Sequence, residues 1–105
     1  MDDIFKMLGK SLHLEIIMLY HKNRDFFDNI TGLTEKLGKS HVTVRKVVKD
    51  LLDVGILKES NIGMSRVLTL NENGKYTGPV MRFLDEISQK DRDKHLESIL
   101  NSRMK

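Results

Sequence analysis

The residues best suited to chemistry lie between positions 36 and 49, in the string KLGKSHVTVRKVVK. Lys39, Ser40, His41, Thr43, Arg45, Lys46 and Lys49 can all donate hydrogen bonds, and no acid interrupts them. Arginine offers a fork that fits guanine O6 and N7, and a threonine methyl can meet a thymine methyl. Lysine neutralises phosphate without reading sequence. The chemistry on offer is recognition of duplex DNA rather than bond making. His41, Thr43 and Arg45 or Lys46 suit base edges, and Lys39 and Lys49 suit phosphates. Surface lysines ordinarily mark a solvated helix face; what favours DNA here is the freedom from acid together with the elements around the run.

Those elements must present the donors on one side. Leu33 and Leu37 belong to a short helix beginning at Ile30 or Thr31, and Gly38 ends it because glycine accepts the left-handed conformation of a tight turn. Ser40 is a good N-cap for a second helix. Val44, Val47, Val48, Leu51 and Leu52 then recur at helical spacing up to Gly55, which turns the basic residues outward. Three valines disfavour an isolated helix, so packing must override propensity. Two helices joined by a tight turn, the second one basic, can lay that second helix into the major groove.

The flanking segments supply a frame. Ile4, Phe5 and Leu8 have helical spacing; Leu12, Ile16, Leu19 and Tyr20 form a second stripe, capped by Ser11. Residues 23–29 read as a polar loop, with Phe26 and Phe27 tucked into the core. Residues 56–59 and 66–70 read as two strands joined by turn residues Ser60, Asn61 and Gly63. Arg66, on the return strand, suits a minor groove or a phosphate, and equally suits an edge charge that discourages strand addition. Asn71 is a candidate cap for a last helix whose firm part starts at Pro79. Val80, Phe83, Leu84 and Ile87 form one stripe there, and Leu96, Ile99 and Leu100 another on nearly the opposite side. Either the helix breaks near Lys90, or one continuous helix uses one face for its own core and one for a partner; continuity is slightly preferred.

Composition narrows the class. The chain has 105 residues, 39% hydrophobic and 31% charged, which suits one small domain with a modest core, and a partner subunit is in keeping with that size. Net charge is +3, only mildly basic. There is no cysteine, which excludes disulfides and thiolate metal sites and suits a cytoplasmic location. The opening Met1-Asp2-Asp3 is acidic where a secretion signal would be basic, and no apolar run is long enough to span a membrane. His13, His21, His41 and His95 show no ligand spacing, and no phosphate loop or nucleophile motif is present. An enzyme is therefore not expected, nor is a cofactor or metal. The methionines, Met18, Met64 and Met81 among them, read as core filling.

Helix, helix, helix, hairpin, helix is the winged helix-turn-helix order: mainly α with a small β-hairpin wing. The chain resembles winged-helix transcriptional regulators of bacteria and archaea, ArsR-like with MarR-like features. The strings IFKMLGKSLHLEIIMLY, LTEKLGKSHVTVRKVVKDLLDVGILK and VLTLNENGKYTGPVMRFLDEI carry the resemblance, over roughly residues 4–87. Thr34 departs from the small residue, and Lys39 from the apolar one, that many members have. The cysteine pair of metal-sensing members is missing. Asp93 and His95 echo half of a last-helix metal pattern, with no second histidine following.

The resemblance implies sequence-specific binding of double-stranded DNA by a transcriptional regulator. Residues 40–54 would enter the major groove, and the wing, residues 56–70, would lie on the flanking backbone or minor groove. Residues 1–88 would form the DNA-binding domain, and residues 89–105 a helical extension for dimerisation. Ile4, Phe5, Leu8, Leu96, Ile99 and Leu100 are the homodimer candidates. An unidentified effector would be an elaboration of this reading. The alternative is a winged-helix module that binds protein and not DNA.

Overall fold

The computed structural model describes the backbone of residues 2–103 and the side chains of residues 3–92. In chain order the elements are α1 (Asp2–Leu8), α2 (Leu12–Lys22), β1 (Phe27–Asp28), α3 (Ile30–Leu37), α4 (His41–Asp53), β2 (Leu57–Ile62), β3 (Ser65–Leu70) and α5 (Thr77–Arg103). The three strands form one antiparallel sheet in the order β1-β3-β2. Leu57 faces Leu70 and Ile62 faces Ser65 in the hairpin, while Phe27 faces Thr69 across the other edge of β3.

Local chemistry sets the helix boundaries. Ser11, Asn29 and Ser40 each have extended backbone, and each side-chain oxygen accepts an N–H of the first turn. Gly38 ends α3 at φ 65°, a left-handed conformation that costs other L-residues about 1–2 kcal/mol. Its N–H donates to the Thr34 carbonyl at 2.9 Å, closing the helix end.

One core ties the elements together. Ile16 and Tyr20 of α2, Leu33 of α3, the apolar side of α4, the sheet residues Leu57, Leu68 and Leu70, and Met81 of α5 form a continuous buried cluster. Tyr20 is fully buried, and its hydroxyl donates to the Leu68 carbonyl at 2.7 Å, pinning α2 to β3. Burial, and after it the nearby Asp28 carboxylate, push this phenol well above the usual tyrosine range, so it stays a donor. Phe26 meets the Tyr20 ring edge-on at 5.0 Å.

Four expectations need correction. Residues 23–29 are not all loop: Phe27 and Asp28 add a third strand, and Phe27 points outward, nearly half exposed, while only Phe26 turns inward. The hairpin is longer and its turn tighter than expected, because Ser60 and Asn61 are paired strand residues and Gly63 with Met64 makes the turn. The last helix starts at Thr77, and Asn71 instead donates its N–H to the Ile56 carbonyl at 2.9 Å. On α5 Phe83 is exposed, while Met81 joins Leu84 in the core as expected of it, and Met64 fills no core at all. The helix runs through Lys90 without a break.

At about 1.5 Å per residue, the 27 residues of α5 reach about 40 Å. The whole chain measures 57 × 29 × 26 Å. Among the described residues, no helix is long and apolar enough to cross a membrane.

Replacing Tyr20 by Phe keeps the ring and removes the hydroxyl, leaving the Leu68 carbonyl a partner short. Urea denaturation of Y20F is expected to show a loss of roughly 1–3 kcal/mol with native helix content retained.

Candidate nucleic-acid interface

Helices α3 and α4 meet across the turn formed by Gly38, Lys39 and Ser40. Val44, Val47, Val48 and Leu51 are buried, and that fixes the rotation of α4. At about 100° per residue, the direction opposite this stripe is occupied by Val42, Lys46, Lys49 and Asp53. His41 and Arg45 flank it on one side, Thr43 and Asp50 on the other.

Every DNA-contact candidate of the sequence is exposed: Lys39, Ser40, His41, Thr43, Arg45, Lys46, Lys49 and Arg66. They are not equally available. The Ser40 hydroxyl oxygen accepts the Thr43 N–H at 3.2 Å and donates to the Thr43 hydroxyl at 2.9 Å. Ser40 is thus the helix cap first, and it orients Thr43. Among the described residues no acid lies within ion-pair distance of Lys39, Arg45, Lys46 or Lys49. Arg66 differs, with its Nε 3.4 Å from Glu59 across the hairpin. The wing tip beyond it is apolar, with Met64 fully exposed beside Ile62.

Three features of the surface escaped the sequence reading. Val42 is 65% exposed in the first turn of α4, central to the presented face. The signal was available: Val42 falls outside the stripe of the other valines, and an exposed valine offers methyls to a thymine methyl. Lys36 belongs to the same basic run but is held by Asp28 at 2.6 Å. Gly32 makes room for that pair, since a Cβ there would collide with the Asp28 carboxylate. Asp50, directly after the basic run, accepts a hydrogen bond from His13 of α2 at 2.7 Å.

The dimerisation candidates divide. Ile4 is buried within the single chain and Phe5 is partly buried, whereas Leu8 is 59% exposed with Met7 similarly exposed beside it. The side chains of Leu96, Ile99 and Leu100 lie outside the described residues, as do those of Asp93 and His95. Among the described residues no group of three or more His, Cys, Asp or Glu side chains is placed to hold a metal ion.

A buried three-helix body carrying a helix-turn-helix, closed by a small sheet whose long hairpin projects beside the second helix, defines a winged helix-turn-helix fold. The chain is similar in structure to a doubly substituted variant of ZitR from Lactococcus lactis in its apo form. The TM-score is 0.63 at 21% identity, over 91% of this chain and 77% of that one, a likeness of fold. No family model matches the chain, and no curated protein matches it in sequence.

Removing the cap hydroxyl tests how firmly the start of α4 is held. Ser40→Ala is expected to lower stability by about 1 kcal/mol in chemical denaturation. Amide exchange in the first turn, at Val42 and Thr43, should quicken more than exchange at Leu51.

Proposed function

We propose that this chain binds double-stranded DNA sequence-specifically, as a transcriptional regulator of ArsR-like type. The observation that carries the reading is the outward face of α4 and the turn before it, where Lys39, Arg45, Lys46 and Lys49 stand without acidic partners beside Val42 and Thr43. Residues 40–54 enter the major groove. Val42, Thr43, His41 and Arg45 or Lys46 meet base edges, and Lys39 and Lys49 meet phosphates. The wing, residues 56–70, lies against the flanking backbone or minor groove. With Arg66 shared by Glu59, the wing contributes less charge than its sequence suggests.

The protein acts as a cytoplasmic homodimer in this reading. A helix of about 40 Å with apolar residues on a second face of its sequence needs a partner for them. Leu96, Ile99 and Leu100 supply such residues in the sequence of the helical extension, residues 89–105, and Leu8 with Phe5 supplies them from α1. Ile4 supports α1 from inside. Two such subunits place their recognition helices about 34 Å apart on a pseudo-palindrome. An unidentified effector would be sought in the open groove between α2 and α5, where Met18, Leu19, Glu86 and Arg92 meet. The exposed Val42, Ile62 and Met64 favour one second reading, a protein-docking module in which these apolar side chains form the contact.

Fluorescent random-sequence duplex DNA titrated across a salt series, with mass measured by light scattering, separates the two. Regulator function predicts a dimer whose affinity falls steeply with salt. Absence of binding at low salt would sink it. In selected sequences, Arg45→Ala is expected to lose affinity and about 1–3 kcal/mol of base discrimination. Lys49→Ala should weaken all sequences alike and reduce the salt slope by about one.

A further inference from the structure

Helix α2 carries two histidines, and each is hydrogen-bonded to an aspartate on a different helix. The His21 Nε2 is 2.8 Å from Asp85 Oδ1 on α5, and the His21 side chain is only 9% exposed. Arg24 reaches the other Asp85 oxygen at 3.4 Å, so this pair is a structural clasp. His13 is different. Its Nε2 is 2.7 Å from Asp50 Oδ2 on α4, and the two side chains are 47% and 64% exposed. This pair stands in solvent between α2 and α4, with Asp50 on the flank of α4 that also carries Thr43.

Asp50 is unfavourable beside a phosphate backbone. With His13 neutral, the pair contributes one negative charge to a surface that must approach DNA. With a proton on the imidazole, the pair is neutral and its hydrogen bond is retained as an ion pair. The geometry points to DNA binding linked to uptake of one solvent proton by His13, with the His13–Asp50 pair as the sensor. This inference rests on the DNA-binding reading above.

The surroundings of the pair are few. One turn from Asp50, α4 carries Lys46 and Asp53, and one turn back from His13 the chain has Lys10, whose Nζ is 3.9 Å from Glu15. From α5, the charged groups facing α2 are Asp85, held by His21 and Arg24, and Glu86 and Arg92 across the groove. The duplex adds negative potential to this set, so the bound state holds the His13 proton more tightly than the free state. The gain in affinity is therefore greatest at acid pH and is lost as pH rises.

His41 also lies on the DNA face, so the test is run in an H41Q background. Binding to a fluorescent random-sequence duplex is measured at fixed low salt from about pH 5.5 to about pH 8. H41Q protein is expected to bind about threefold to tenfold more tightly at the acid end. Adding H13Q should flatten the profile at its weak, alkaline level. Adding D50N instead should tighten binding at about pH 8 by a similar factor, because it removes the anion without a proton. A complex whose pH profile is unchanged by H13Q, or whose alkaline affinity is unchanged by D50N, overturns the proton link and leaves DNA binding standing. Absence of any complex with the unsubstituted protein throughout the pH range overturns both.

Discussion

The one-sided burial of α4 is the constraint on which the rest of the structure depends. Val44, Val47, Val48 and Leu51 are closed off against α2, α3 and the sheet. Valine is a poorer helix former than alanine by a fraction of a kcal/mol. Burying such a side chain returns about 1.5–3 kcal/mol, which outweighs that deficit at each position. Burial therefore does two things at once: it makes the segment helical, and it fixes its rotation. A slip of one residue would turn the helix by about 100° and bring charged side chains against the core. The basic face exists because that error is expensive.

What could be read from the sequence was what depends on near neighbours. The Gly38 turn, the Ser11 and Ser40 caps and the valine stripe of α4 are all decided within a few residues, and each is found where its local chemistry puts it. Strand β1 depends on Thr69 and Leu68, distant in the chain, and two residues carry no alternation of their own. The same distance hid His13 with Asp50 and His21 with Asp85, partners 37 and 64 positions apart. Lys36 with Asp28 was closer, but it required seeing that Gly32 leaves a gap in α3 for the carboxylate. Phe83 is exposed against expectation because the rotation of α5 is set by the partners it meets, not by its own period.

Charge pairing reshapes the surface that composition suggests. A net charge of +3 says little by itself. Lys36 is matched by Asp28 and Arg66 by Glu59, so two cations close to the helix-turn-helix and wing are partly spent within the fold. Lys39, Arg45, Lys46 and Lys49 keep theirs. An unpaired cation is the kind that releases counterions from a phosphate backbone without first breaking a contact of its own. The unpaired positive charge is thereby concentrated on α4 and the turn before it, and the hairpin is left with an apolar tip.

Helix α2 joins the two ends of this arrangement. Tyr20 fastens it to the sheet, His13 to α4 and His21 to α5. These contacts lie at three positions along a single helix, so α4 and α5 are held to one rigid strut rather than to each other through a flexible loop. In a dimer built on α5, the spacing of the two recognition helices would follow from the angle between α2 and α5, and the His21–Asp85–Arg24 contacts fix that angle. A small rotation there, carried across the length of α2, would displace α4 relative to its symmetry mate. Half-site spacing on DNA tolerates little such displacement, because each recognition helix must meet its groove at the same time. On the DNA-binding reading, the largely covered His21 of α2 would thus contribute to recognition even though it would lie far from the groove.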